Sequence, residues 1–170
     1  MKSWLHFSGF FIKVGGKVVY SRGEKVVLTE YSTSIRCFVE RSIVTLTEDI
    51  TVGELVEGVT YQSTRPSGVV LPAGTRVATV LLHFYSSVAP RTATGWVEFG
   101  RDILGVVESA AQLAATDSAY GAPGITYRGV GLNANRQLEN DALRRSGRRI
   151  DITFSTSGNN TDEMRIFLAA

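Results

Sequence analysis

The chain has 170 residues, 44% of them hydrophobic and 20% charged, with a net charge of +2. That suits one globular domain that needs no covalent staple, and the charge is too small to argue for a nucleic-acid binder. One cysteine, Cys37, and two histidines, His6 and His83, exclude an internal disulfide and a thiolate metal site.

Lys2 precedes the apolar run 4–12, which faintly resembles a signal peptide. His6 and Ser8 interrupt the run, and no small-x-small cleavage site follows cleanly. The run falls far short of the roughly 20 apolar residues that span a bilayer. It reads as mature sequence or an altered start. Residues 11–14 and 17–20 flank Gly15-Gly16, a linker of hairpin type. A β-rich run follows at 24–30. Ile35, Cys37 and Val39 then alternate with Arg36, Phe38 and Glu40, and 43–46 continue that strand or return from it.

Residues 47–70 read as a polar connection, with Arg65-Pro66-Ser67-Gly68 as a turn. Pro72-Ala73-Gly74 makes a tight turn into 75–85, apolar on both faces as a central covered strand is. A loop is expected at 86–94, and strands at 96–99 and 103–107. Gly105 inside the second strand marks a bulge or a close backbone approach. Residues 108–115 are the one helical stretch, two turns that would not be stable alone. Five glycines and prolines make 118–136 a long loop.

Arg144, Arg145, Arg148 and Arg149 surround Ser146-Gly147. The bland reading, a solvated hairpin with charged edges, is preferred over an anion patch. Phe154 is the one aromatic nearby, so no stacking platform for single strands exists. Residues 149–155 turn Ile150, Ile152 and Phe154 inward. A polar turn at 155–162 leads to a closing strand at 163–168. These elements make an all-β fold: an antiparallel β-sandwich, jelly-roll-like, with one short helix near 108–115. It is a single domain, 1–170, with N-terminal strands in 1–30 attached to a core sandwich over 35–168.

No nucleophile elbow, phosphate loop, dinucleotide fingerprint or zinc-protease helix is present. His83 reads as a structural histidine on the central strand, and Cys37 as a small buried hydrophobe. Paired carboxylates are invisible in sequence, so a glycan-acting hydrolase is the third reading. The chain is read as not an enzyme. Calcium is the metal its oxygen donors suit, with Asp117, Asp141 and Asp162 as candidate ligands, each equally able to cap a turn. Trp96, Tyr120, Tyr127, Asn133, Asn135 and Arg136 are the candidate glycan-binding residues, on or beside the long loop. Trp96 and Tyr127 suit a core role as well.

One series of landmarks is more specific than any single motif: Phe38-Val39-Glu40, Leu71-Pro72-Ala73-Gly74-Thr75, Leu82-His83-Phe84, Ile103-Leu104-Gly105-Val106, Thr116-Asp117, and Asp162 with Arg165-Ile166. In order and spacing they resemble a family of exported bacterial β-sandwich proteins, many with a PEP-CTERM sorting tail. The resemblance covers about 35–166. It implies an extracellular or cell-envelope setting and transfers no active site. The Pro-Glu-Pro motif, apolar helix and basic tail of that signal do not precede Leu168-Ala169-Ala170. The leading expectation is a non-enzymatic module for surface or matrix interaction that binds a glycan or surface polymer. Its alternative is a structural subunit of an appendage, shell or virion, a homo-oligomer joined through the N-terminal strands.

Overall fold

The polar side chains of Arg149, Asp151 and Thr153 alternate with buried Ile150, Ile152 and Phe154, the period of a half-buried strand. In the computed structural model this segment is β12 (Arg149–Thr156). The structure describes residues 3–7, 10–21, 28, 32–62, 66–86, 91–127, 138, 141–156 and 161–170.

Among these, sheet A has the order β1 (Ser3–Phe7), β2 (Phe10–Gly16), β9 (Arg91–Phe99), β12, β11 (Ala142–Ser146) and β6 (Thr60–Tyr61). Sheet B has the order β3 (Val18–Tyr20), β4 (Ile35–Thr45), β8 (Arg76–Tyr85), β13 (Thr161–Ala169), β10 (Ile103–Val107), β5 (Ile50–Gly53) and β7 (Gly68–Leu71). The strands pair antiparallel, except β3 with β4. The chain is an all-β sandwich. No helix among the described residues is long and apolar enough to cross a membrane.

Two apolar clusters hold three layers together. The first fills the space between the sheets, with Val80, Leu82 and Phe84 of β8 meeting Val97 of β9 and Ile150, Ile152 and Phe154 of β12. The second lies on the other face of sheet B, where Leu81, Phe38 and Phe167 meet Leu113 and Tyr120 of the helix α1 (Ala110–Tyr120). Both β8 and β13 are therefore covered on two faces, which explains the apolar run at 75–85. Each large side chain so buried contributes about 1.5–3 kcal/mol.

Several sequence expectations change. The apolar run 4–12 contributes the antiparallel pair β1–β2, with Phe7 opposite Phe10. Gly15-Gly16 joins no hairpin: β2 lies in sheet A and β3 in sheet B, so the chain changes sheets there. Gly16 takes φ 66°, and a Cβ on it would lie 2.7 Å from Gly95 Cα. The connection 47–70 holds three short strands, β5, β6 and β7. Strand β9 begins at Arg91, inside the expected loop.

The helix runs five residues further than 108–115. Ser109 caps it by accepting from the Gln112 N–H, and Leu113, Thr116 and Tyr120 form its buried stripe. Packing on sheet B carries it through Thr116-Asp117-Ser118, which are weak helix formers. The expected closing strand is β13, in the middle of sheet B. Gly105 meets both readings offered for it: the register shifts between Ile103 and Gly105, and a Cβ there would lie 3.0 Å from the Gly53 carbonyl oxygen.

Candidate functional site

The outer face of sheet A carries the polar half of two alternating strands. β9 turns out Thr92, Thr94, Trp96 and Glu98, and β12 turns out Arg149, Asp151, Thr153 and Ser155. The register sets Trp96 opposite Asp151 and Thr94 opposite Thr153. The Thr94 and Thr153 hydroxyls are 3.2 Å apart, and those of Thr92 and Ser155 are 3.3 Å apart. Arg149 donates to Asp151 Oδ1 from Nε at 2.9 Å and from Nη2 at 2.5 Å. Its guanidinium carbon sits 4.5 Å from the centre of the Trp96 ring, within cation–π range.

On the other side of β9, Gly15 of β2 pairs with Trp96. A Cβ at Gly15 would fall 2.5 Å from Trp96 Cε2 and Nε1, so the indole needs a glycine there. Beside this cluster lies an open groove of about 430 Å³, lined in part by Thr60, Trp96, Leu143, Arg144, Arg149, Asp151 and Thr153. Its lining offers hydroxyls, guanidinium N–H groups and one carboxylate, all suited to a hydroxylated ligand. Among the described residues that lining holds no second carboxylate, which paired acid–base hydrolysis requires.

A second polar cluster lies beneath α1. Arg165 of β13 is fully buried and reaches over β8 to Glu40 of β4. Its Nε donates to Glu40 Oε2 at 2.6 Å, and Nη2 donates to Glu40 Oε1 at 2.9 Å and Asp117 Oδ1 at 2.8 Å. Nη1 donates to the Leu113 carbonyl at 3.3 Å and to the Thr116 hydroxyl. The Tyr127 hydroxyl donates to Glu40 Oε1 at 2.5 Å and accepts from the Ala122 N–H at 2.7 Å. Burial pushes the Glu40 carboxyl above its ordinary range, against the pull of Arg165 and Tyr127. Burial lowers the Arg165 guanidinium, but Glu40 and Asp117 more than offset this and hold it above its usual value. These contacts tie α1, β4, β13 and the segment before Tyr127 together, and they are structural in kind.

His83 stands on the same face of sheet B, fully buried, with Nδ1 2.7 Å from Glu163 Oε1. Its Nε2 has no hydrogen-bond partner among the described residues. Glu163 orients the ring, but among the described residues no hydroxyl or thiol completes a nucleophile pair with it. Cys37 is buried, and burial pushes its thiol far up, so it carries no thiolate.

The sequence-derived candidates scatter. Trp96 lies in the groove. Tyr120 is buried against Phe167, ring centres 5.8 Å apart. Tyr127 is held by Glu40. Asn133, Asn135 and Arg136 lie outside the described residues. Asp117 faces Arg165, and Asp141 accepts the Ser155 N–H at 2.7 Å on sheet A. Asp162 is buried on β13, on the side shared by Met164 and Ile166. The three aspartates are not brought together, and no three His, Cys, Asp or Glu side chains among the described residues group to hold a metal ion. The sequence reading weighed Arg149 as part of an anion patch and preferred a solvated hairpin, and it passed over Asp151, Thr94 and Thr153. Their signal was the polar half of the same alternation that placed Ile150, Ile152 and Phe154 inside.

Compared with family models, curated proteins and solved structures, the chain matches none.

Proposed function

We propose that this chain is a non-enzymatic β-sandwich module that binds a glycan or related surface polymer on the outer face of sheet A. The observation that carries the reading is the set Trp96, Arg149, Asp151, Thr94 and Thr153, fixed by strand register beside an open groove. Site residues on paired strands are pre-organised, so little conformational entropy is lost when they meet a ligand. The one carboxylate lining the groove is engaged by Arg149, which favours binding over hydrolysis. An extracellular setting for this binding is part of the same proposal.

Affinity electrophoresis and a glycan array test it. Wild type is expected to be retarded by at least one polysaccharide. Trp96→Ala, which removes the ring on which the Arg149 guanidinium is seated, should weaken that binding about tenfold or more with the fold kept. Wild-type protein that binds no glycan on either platform would end this reading.

A further inference from the structure

The charges along the groove narrow the ligand class, on the premise that the groove binds glycan. Arg144 and Arg149 both line it, and among the described residues Asp151 is the one carboxylate in that lining, across from Arg144. Asp151 spends Oδ1 on both Arg149 hydrogen bonds, which leaves Oδ2 open to a sugar hydroxyl. The Arg149 and Asp151 side chains are 40% and 42% exposed, so their remaining polar atoms are within reach of a ligand.

Arg144 is exposed and stands directly across from Asp151 in the β11–β12 register, yet it makes no ion pair with it. Its Nε donates to the Gly58 carbonyl at 3.3 Å, which anchors the guanidinium and leaves both terminal nitrogens without a carboxylate among the described residues. The groove therefore presents two guanidinium groups against one carboxylate. The indole offers no bare platform for a neutral ring to stack on, because Gly15 backs it and the Arg149 guanidinium lies over it.

We propose that the groove recognises an acidic glycan, a polymer bearing uronic-acid carboxylates. A ligand carboxylate meets the terminal nitrogens of Arg144, on the side away from Asp151, and neighbouring sugar hydroxyls meet Asp151 Oδ2 and the Thr94–Thr153 pair. A guanidinium is planar with paired donors, and a carboxylate is its planar counterpart. The anion is added to a groove with one cation in excess, so its charge is balanced on binding.

The experiment compares polygalacturonate with its fully methyl-esterified form, which has the same sugar backbone and no charge, and with dextran sulfate, by isothermal titration at low and physiological salt. Polygalacturonate is expected to bind about tenfold or more tightly than the ester. Arg144→Ala should remove about that factor. Arg148→Ala deletes an equal charge from the same hairpin outside the groove, where Arg148 pairs with Asp102, and should change binding less than twofold. Equal binding of acid and ester would overturn the acidic inference and leave the glycan reading standing. Dextran sulfate binding as tightly as polygalacturonate, with Arg144→Ala and Arg148→Ala equally weak, would also overturn it, since that is plain ion exchange by a basic hairpin. No binding of any of the three, together with a blank array, would remove both readings.

Discussion

Arg165 and Tyr127 carry the sharpest consequences of single residues. Arg165 is wholly buried with Glu40 and faces a partly exposed Asp117. Removing one member of such a pair leaves an uncompensated charge in a medium of low polarity. Glu40→Leu should therefore destabilise the fold by about 3–5 kcal/mol in urea denaturation. The double variant Glu40→Leu with Arg165→Met should recover much of that loss, because apolar groups of similar volume avoid the desolvation cost. A double variant as unstable as the single one would mean that the pair, not its neutrality, organises the layer under α1. Tyr127 gives a pH dependence. Burial first, and the neighbouring Glu40 carboxylate next, hold its hydroxyl proton above the ordinary range. In the unfolded chain it ionises near pH 10. The folded state thus keeps the proton longer, so this contribution is complete below about pH 10 and is lost as the pH climbs through the folded value. Tyr127→Phe removes the titration. Its melting temperature should fall less than that of wild type between about pH 8 and pH 11.

For the strands and turns, two glycines with positive φ make a comparison. Gly16 sits at the change of sheets, crowded by Gly95 Cα and the Thr94 carbonyl, whereas Gly74, φ 85°, has open space where a Cβ would stand. Gly74→Ala should cost about 1 kcal/mol, from backbone strain alone. Gly16→Ala should cost at least twice as much, since backbone atoms must also move; melting temperatures of the two variants decide it. The same comparison explains what was legible. Gly74 follows a Pro and precedes a long apolar run, so its turn could be read. Gly15-Gly16 looks like a hairpin linker because a sheet change and a hairpin both call for glycine, and only the partner strands distinguish them. The strands β5, β6 and β7 span two to four residues each and show no run long enough for alternation to be seen. Pairing of β5 with β10, of β6 with β11 and of β7 with β5 makes them strands.

At the scale of the whole molecule, the two-sheet architecture was legible because β8, β9, β10 and β12 carry strong local patterns. The proposed binding face was half legible. Trp96 stood out by residue type, but Arg149 read as a hairpin charge and Asp151 drew no reading until register placed them beside it. The layer under α1 was illegible as a unit: Glu40 and Arg165 are 125 positions apart, and sequence alone does not say that β13 lies one strand away from β4. That order has a consequence for how the protein is made. The slot between β8 and β10 stays empty until residues 161–169 have been synthesised, although both of its walls are complete by residue 107. At about 5–20 residues per second, several seconds pass on the ribosome with β8, a strand apolar on both faces, paired on one edge only. Folding of sheet B is thus tied to late translation, and a stall between residues 107 and 161 would leave an adhesive intermediate for chaperones to hold.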